Sequence, residues 1–151
     1  MIPTSADTVA IELENVSKHY ASGNSEVRAV TSASLRVRHS ERVAILGKSG
    51  CGKSTLLNLI GGLDRPTFGQ IAVGGKVLSG MTSNEIADFR RDVVGMIFQS
   101  YNLIASRTAL QNVAMPAVFA GRNRNERRDA SRKLLGRCRL EKSRVALPPL
   151  K

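Results

Sequence analysis

Residues 47–54 read Gly-Lys-Ser-Gly-Cys-Gly-Lys-Ser, and they follow the apolar run VAIL (43–46) without a gap and lead straight into LLNLIGGL. The spacing is G-x-x-x-x-G-K-[ST], a phosphate loop between a strand and a helix, which commits the chain to an α/β core. Gly50 and Gly52 let the backbone adopt conformations closed to other residues, so that successive N–H groups turn inward as an anion nest at a helix N-terminus. Lys53 brings a point charge to the β- and γ-phosphates, and the Ser54 hydroxyl is placed to ligate Mg²⁺. Thr55 adds a hydroxyl near the α-phosphate. Gly47, Lys48, Ser49, Gly50, Cys51, Gly52, Lys53, Ser54 and Thr55 are therefore the expected nucleotide-binding residues, with a nucleoside triphosphate and Mg²⁺ as ligands. Alkylation of Cys51, inside the loop, should block nucleotide binding.

The chain carries a net charge of +11, and its distribution matters more than its sum. Residues 1–120 hold 12 Lys/Arg and 9 Asp/Glu, giving +3, whereas residues 121–151 hold 11 and 3, giving +8. The basic tail contains no aromatic residue to stack on bases, so it reads as a solvated helix face and no nucleic-acid partner is expected. Cys51 and Cys138 lie far apart in sequence, with no C-x-x-C or Cys/His cluster, which argues against a metal site and predicts two unpaired thiols. No run of 18 apolar residues exists, and MIPTSADTVA lacks the basic start and apolar stretch of a signal peptide, so a cytosolic chain is expected.

Val9, Ile11 and Leu13 alternate with polar neighbours, as do Leu35 and Val37, predicting strands near 9–14 and 28–38 with YASGNSE as the turn. VAIL and VGMIF (94–98) are uninterrupted apolar runs, the pattern of central strands buried on both faces. The helix after the loop should start near Lys53 and stop at Gly61-Gly62. QIAVGGKVL predicts a hairpin around Gly74-Gly75. Thr82 with Glu85, and Thr108 with Gln111, are capping-box pairs that should launch a helix to about Arg91 and a second one that Pro116 kinks or ends. Asn123 starts a further helix to about Gly136. The basic stretch from Arg137 has no period, as expected of a shifted or prematurely ended reading frame.

Several segments together resemble one family. IELENVSKHY, SGNSEVRAV, LGKSGCGKSTLLNLIGGLDRPTFGQI and FRRDVVGMIFQSYNLIASRTALQNVAMP, within residues 9–135, are similar to the ATP-binding subunit of ABC transporters, most of all the branch serving lipoprotein release and macrolide export. The resemblance implies a truncated ABC ATPase fold: a P-loop NTPase core with a mainly parallel sheet, an antiparallel β region, and the beginning of a helical subdomain. Residues 1–136 would be the N-terminal part of that domain, with 100–136 opening the helical subdomain and 137–151 a basic tail. It puts Tyr20 where an aromatic ring stacks on adenine. Gln99 falls at the glutamine loop, where its side chain reaches Mg²⁺ or the attacking water. The segment from Ser100 to Val113 would face a transmembrane permease subunit, two ATP-binding subunits would pair, and the assembly would sit on the cytoplasmic face of the membrane. Departures are Ser40, where a glycine is common, Lys48 in the loop, and Arg107 at a commonly apolar position.

The family's machinery continues past Gln99 with the signature LSGGQ, a Walker B aspartate, a catalytic glutamate and a switch histidine, and none of these stands in the 151 residues. Leu78 to Gly80 repeats only LSG and precedes the glutamine loop, and His19 and His39 both precede the phosphate loop. Hydrolysis needs a group that orients water and a carboxylate near magnesium, so no catalytic residue is assigned and the chain alone is expected to bind without turnover. Apolar strand edges left unpaired should make it poorly soluble. A GTPase would carry N-K-x-D, which is absent, and small-molecule kinases of this class begin close to their phosphate loop, whereas some 40 residues precede this one.

Overall fold

A computed structural model describes residues 8–140 except Asn24. The chain divides into two compact units, Met1–Gly95 and Met96–Lys151.

The first unit is built on a four-stranded antiparallel sheet in the order β2-β1-β3-β4, with β1 at Val9–Ser22, β2 at Ser25–Arg38, β3 at Phe68–Val73 and β4 at Lys76–Val77. Leu13 is the hinge of its register, opposite Leu35 on one side and Ile71 on the other. Helix α1 (Lys53–Ile60) and helix α2 (Ser83–Asp92) are joined to the sheet by one core. Leu13, Val16, Leu59, Ile71, Leu78, Ile86 and Phe89 form it, with Val16, Leu59 and Ile71 at 0% exposure. Every fully buried aliphatic side chain of this kind contributes about 1.5–3 kcal/mol, so the sheet depends on α1 and α2 as much as they depend on it.

Local chemistry explains the elements. The β1–β2 strands run further than the alternation of apolar residues predicts, through Tyr20 opposite Val27 to Ser22 opposite Ser25, because a tight hairpin connection needs only two residues. The expected turn YASGNSE is thus mostly strand. Gly74 (φ 56°) and Gly75 (φ 75°) both take positive φ, as a two-residue hairpin of the type I′ class requires. Thr82 accepts from the Glu85 N–H while the Glu85 carboxylate accepts from Thr82, the capping box expected from sequence. α1 stops at Gly61, followed by Gly62 in the left-handed region, also as expected.

Two expected strands do not form. Residues 43–46 and 94–98 carry no regular structure, and the sheet is antiparallel throughout, not mainly parallel. The α/β class stands; the parallel part of the expected core is not among the described residues. An apolar run becomes a strand only when a neighbour completes its backbone hydrogen bonds, and among the described residues none pairs with either run. Leu46 is accordingly 89% exposed.

The second unit contains α3 (Ala109–Phe119) and α4 (Arg124–Arg137), packed on each other. Thr108 and Gln111 form the expected capping box, and Asn123 accepts from the Glu126 N–H to start α4. Pro116 does not end α3, which runs on to Phe119. The Asn112 side chain ties the preceding loop down: its Oδ1 accepts from the Ile104 N–H at 2.8 Å and its Nδ2 donates to Ile104 O and Arg107 O. Of the expected basic tail, residues 141–151 lie outside the described residues.

Ser40 sits in the turn before VAIL at φ 65°, the left-handed region. A residue with a Cβ pays roughly 1–2 kcal/mol there, and glycine's greater freedom in the unfolded chain offsets roughly 0.5–1 kcal/mol of the gain from replacing it. The Ser40→Gly variant should therefore be more stable by up to about 1 kcal/mol, read as a higher midpoint in urea unfolding at unchanged slope. An unchanged or lower midpoint would refute the strain.

Candidate functional site: the phosphate loop and its tyrosine

The loop from Gly47 to Gly52 ends where α1 begins. Gly52 is the N-cap at φ 90°, with no side-chain cap, so the first N–H groups of α1 are not consumed by a capping residue. Gly50 is also left-handed, at φ 78°. Gly52 has a second reason to be glycine: a Cβ there would lie 2.1 Å from the Ala29 carbonyl oxygen. Register shifts between Val16 and His19 leave Ala29, on β2, without a ladder partner on β1, and its carbonyl is what a Gly52 side chain would meet. A bulge in the hairpin thereby sets where the helix can start.

Lys53 folds back across the loop. Its ammonium donates to Gly47 O at 2.8 Å and Lys48 O at 2.6 Å, and lies 3.5 Å from Cys51 Sγ. The Cys51 N–H donates to Lys48 O at 3.4 Å. Gly47, Lys48, Cys51 and Lys53, separately expected from sequence, are thus brought into one set of contacts. Ser49, on the loop, and Ser54, in the first turn of α1, are exposed. Cys51 and Cys138 are free thiols, as expected, and both are exposed.

Tyr20 stands near the end of β1, and its hydroxyl donates to Asp64 Oδ2 at 2.7 Å. The hydroxyl also interacts with that of Thr55, on the first turn of α1, so Tyr20 and the end of the loop are neighbours. Lys18, two residues earlier and on the same face of β1, places its ammonium 4.8 Å from the Tyr20 ring centroid and 2.6 Å from Asp64 Oδ1. Partial burial opposes the charged Asp64 carboxylate, but hydrogen bonds from Lys18, Tyr20 and the Arg65 N–H outweigh it and hold its pKa below the usual carboxylate value. Its hydrogen bond to Asp64, followed by burial, raises the Tyr20 phenol above its ordinary value, so it stays protonated at neutral pH. Sequence reading singled out neither Lys18 nor Asp64; the lysine and aspartate lie 46 residues apart, and no local pattern links them.

Gln99, the other residue expected to bind magnesium, belongs to the second unit and is exposed. Apolar side chains beside it in sequence are exposed, including Ile97 at 99% and Tyr101 at 73%. Among the described residues no cluster of three or more His, Cys, Asp or Glu could hold a metal ion. The donor set that remains for a cation at the loop is the Ser54 hydroxyl with oxygens of a bound phosphate, which fits magnesium's habit of binding through substrate phosphates. The loop fits a polyphosphate on two observations: the left-handed backbone of Gly50 and Gly52, and the uncapped helix start. Among the described residues no helix is long and apolar enough to cross a membrane.

Comparison with known proteins agrees with this geometry. The profile of the ABC transporter family matches residues 30–149. The macrolide export ATP-binding/permease protein MacB of Hyphomonas neptunium is 48% identical over 130 residues, covering 86% of this chain and 20% of that protein. MacB of Salmonella typhimurium is 45% identical over 142 residues, covering 94% of this chain and 22% of that protein. The chain therefore spans about a fifth of the length of these curated relatives. Among solved structures, the dimeric post-hydrolysis state of the ATP-binding cassette MJ0796 bound to ADP and Pi superposes with a TM-score of 0.83 at 36% identity, covering 92% of this chain and 61% of that one. A second dimeric structure of that cassette gives 0.82 at 38% identity, covering 89% and 60%.

Two outcomes follow from the loop. Gly52→Ala forces a Cβ into the Ala29 carbonyl and strains the cap, so it should lower stability by about 2 kcal/mol or more and abolish ATP binding; wild-type behaviour in thermal unfolding and calorimetry would contradict the packing. Cys51 should be alkylated by a maleimide in the free protein and protected by ATP, and the labelled protein should fail to bind nucleotide. Equal labelling with and without ATP would show that the thiol lies away from the ligand.

Proposed function

The chain belongs to the ABC transporter family, as part of an ATP-binding domain, and on that premise we propose that residues 47–55 hold Mg-ATP whose binding is coupled to a membrane permease. The observation that carries this reading is Gly52, left-handed and pressed on a backbone carbonyl at the uncapped start of α1, which leaves inward N–H groups that a phosphate would satisfy. Lys53 would leave its loop carbonyls to meet the β- and γ-phosphates. Ser54 would ligate magnesium, joined by Gln99, and the ion would neutralise charge across the phosphate oxygens. Tyr20 would stack on adenine through its ring.

The relatives named above are macrolide export ATP-binding/permease proteins, and a role in export or lipoprotein release is the corresponding proposal for this chain. Residues 1–136 would form the N-terminal part of the ATP-binding domain, with 100–136 the start of its helical subdomain. The exposed apolar side chains of Tyr101, Leu103 and Ile104 support the segment from Ser100 to Val113 as the permease-facing surface. The domain would act as a dimer, on the cytoplasmic face of the membrane.

A second reading concerns turnover. Within residues 1–151 there is no LSGGQ, no Walker B carboxylate and no histidine after the loop. We therefore propose that these residues by themselves bind Mg-ATP without hydrolysing it, whereas family membership supports ATPase activity for a domain that carries the remaining groups. Isothermal titration with Mg-ATP and a phosphate-release assay, each run beside Lys53→Ala, test both parts. Binding lost in the variant and no phosphate release in either protein is the expected result. Phosphate release that disappears in Lys53→Ala would overturn the second reading, and absence of binding would overturn the first.

A further inference from the structure

We propose that Asp64 is a positioning residue for the nucleotide base, acting through Tyr20; the proposal rests on the reading that Tyr20 stacks on that base. Three contacts carry it. The Tyr20 hydroxyl donates to Asp64 Oδ2 at 2.7 Å, which fixes the direction of the ring's long axis and ties its far end to the loop after α1. The Lys18 ammonium bridges Asp64 Oδ1 at 2.6 Å and Arg65 O at 2.8 Å, which holds the carboxylate itself in place. The same ammonium lies over one face of the Tyr20 ring, 4.8 Å from its centroid, so a base can take only the other face. Tyr20 is a strand residue with two rotatable side-chain bonds and 39% exposure, and without a tether its ring would sample several orientations before a base arrived.

Asp64 thus removes in advance an ordering cost that binding would otherwise meet. Because Asp64 follows the C-terminal end of α1 and Thr55 stands in its first turn, Tyr20 is clasped from both ends of the helix that the phosphate loop launches. The base-binding ring and the phosphate cradle are therefore referenced to one rigid element.

The test compares Mg-ATP with magnesium tripolyphosphate, which has the phosphates and no base, by calorimetry on the 151-residue chain and its variants. Tyr20→Ala should weaken ATP about tenfold, the scale of one base–aromatic stack, and leave tripolyphosphate unchanged. Asp64→Ala and Tyr20→Phe should each weaken ATP roughly threefold, the order expected for freeing one side chain, again without effect on tripolyphosphate. Asp64→Ala should add nothing in the Tyr20→Ala background. Tyr20→Phe keeps the Lys18–Asp64 bridge, so it carries the test should Asp64→Ala fold poorly. Tyr20→Phe binding ATP like wild type, or Asp64→Ala weakening both ligands alike, overturns the positioning role. Tyr20→Ala binding ATP like wild type overturns instead the stacking reading beneath it.

Discussion

One backbone-on-backbone approach governs this structure: the left-handed Gly52, with space for no side chain, against the carbonyl of Ala29 on β2. It joins the antiparallel hairpin to the start of α1, and so fixes the origin and direction of the helix whose Leu59 is fully buried in the core. The bulged register of the hairpin is part of the same arrangement, since Ala29 falls at the shift between the Lys18–Val30 and His19–Arg28 pairs. Loop conformation, helix position and core packing are consequently not independent of one another. Displacing the hairpin would displace the helix N-terminus at which a phosphate is expected to sit.

The tyrosine cluster belongs to the same frame. Lys18 and Tyr20 project from β1, and Asp64 comes from the link between α1 and β3, so an ion pair and a phenolic hydrogen bond connect the two sides of the sheet-and-helix unit. In a part-buried pair of this kind the cost of desolvation offsets much of the attraction, so its net contribution to stability is small. Its consequence is geometric: the orientation of one ring is set by groups that arrive from elements 44 residues apart.

Local signals were legible in the sequence wherever a residue's own backbone or its near neighbours decide the outcome. The Thr82 and Thr108 capping boxes, the Asn123 cap and the Gly74-Gly75 turn all depend on contacts within four residues, and all were found where the sequence placed them. The family was legible for the same reason, since its motifs are contiguous. What failed depends on distant partners. VAIL and VGMIF have the composition of core strands, but composition cannot supply the neighbour that makes a strand, and both are irregular here. The strand boundaries around Tyr20 were misread because YASGNSE is polar, and pairing across a hairpin is indifferent to polarity on its open face. Asp64 was missed because an aspartate in a short link has many uses and only the fold selects one.

Lys53 shows a further property of the loop. Its ammonium is already bonded to the carbonyls of Gly47 and Lys48, so the loop's strongest cation is internally satisfied and the bend is held shut by its own side chain. Capture of a polyphosphate is then a swap of acceptors around a single positive charge, and its free energy is the difference between two sets of charge-assisted hydrogen bonds, not the whole of one. The affinity of such a site is set as much by how comfortable the lysine is at rest as by how well the phosphates fit.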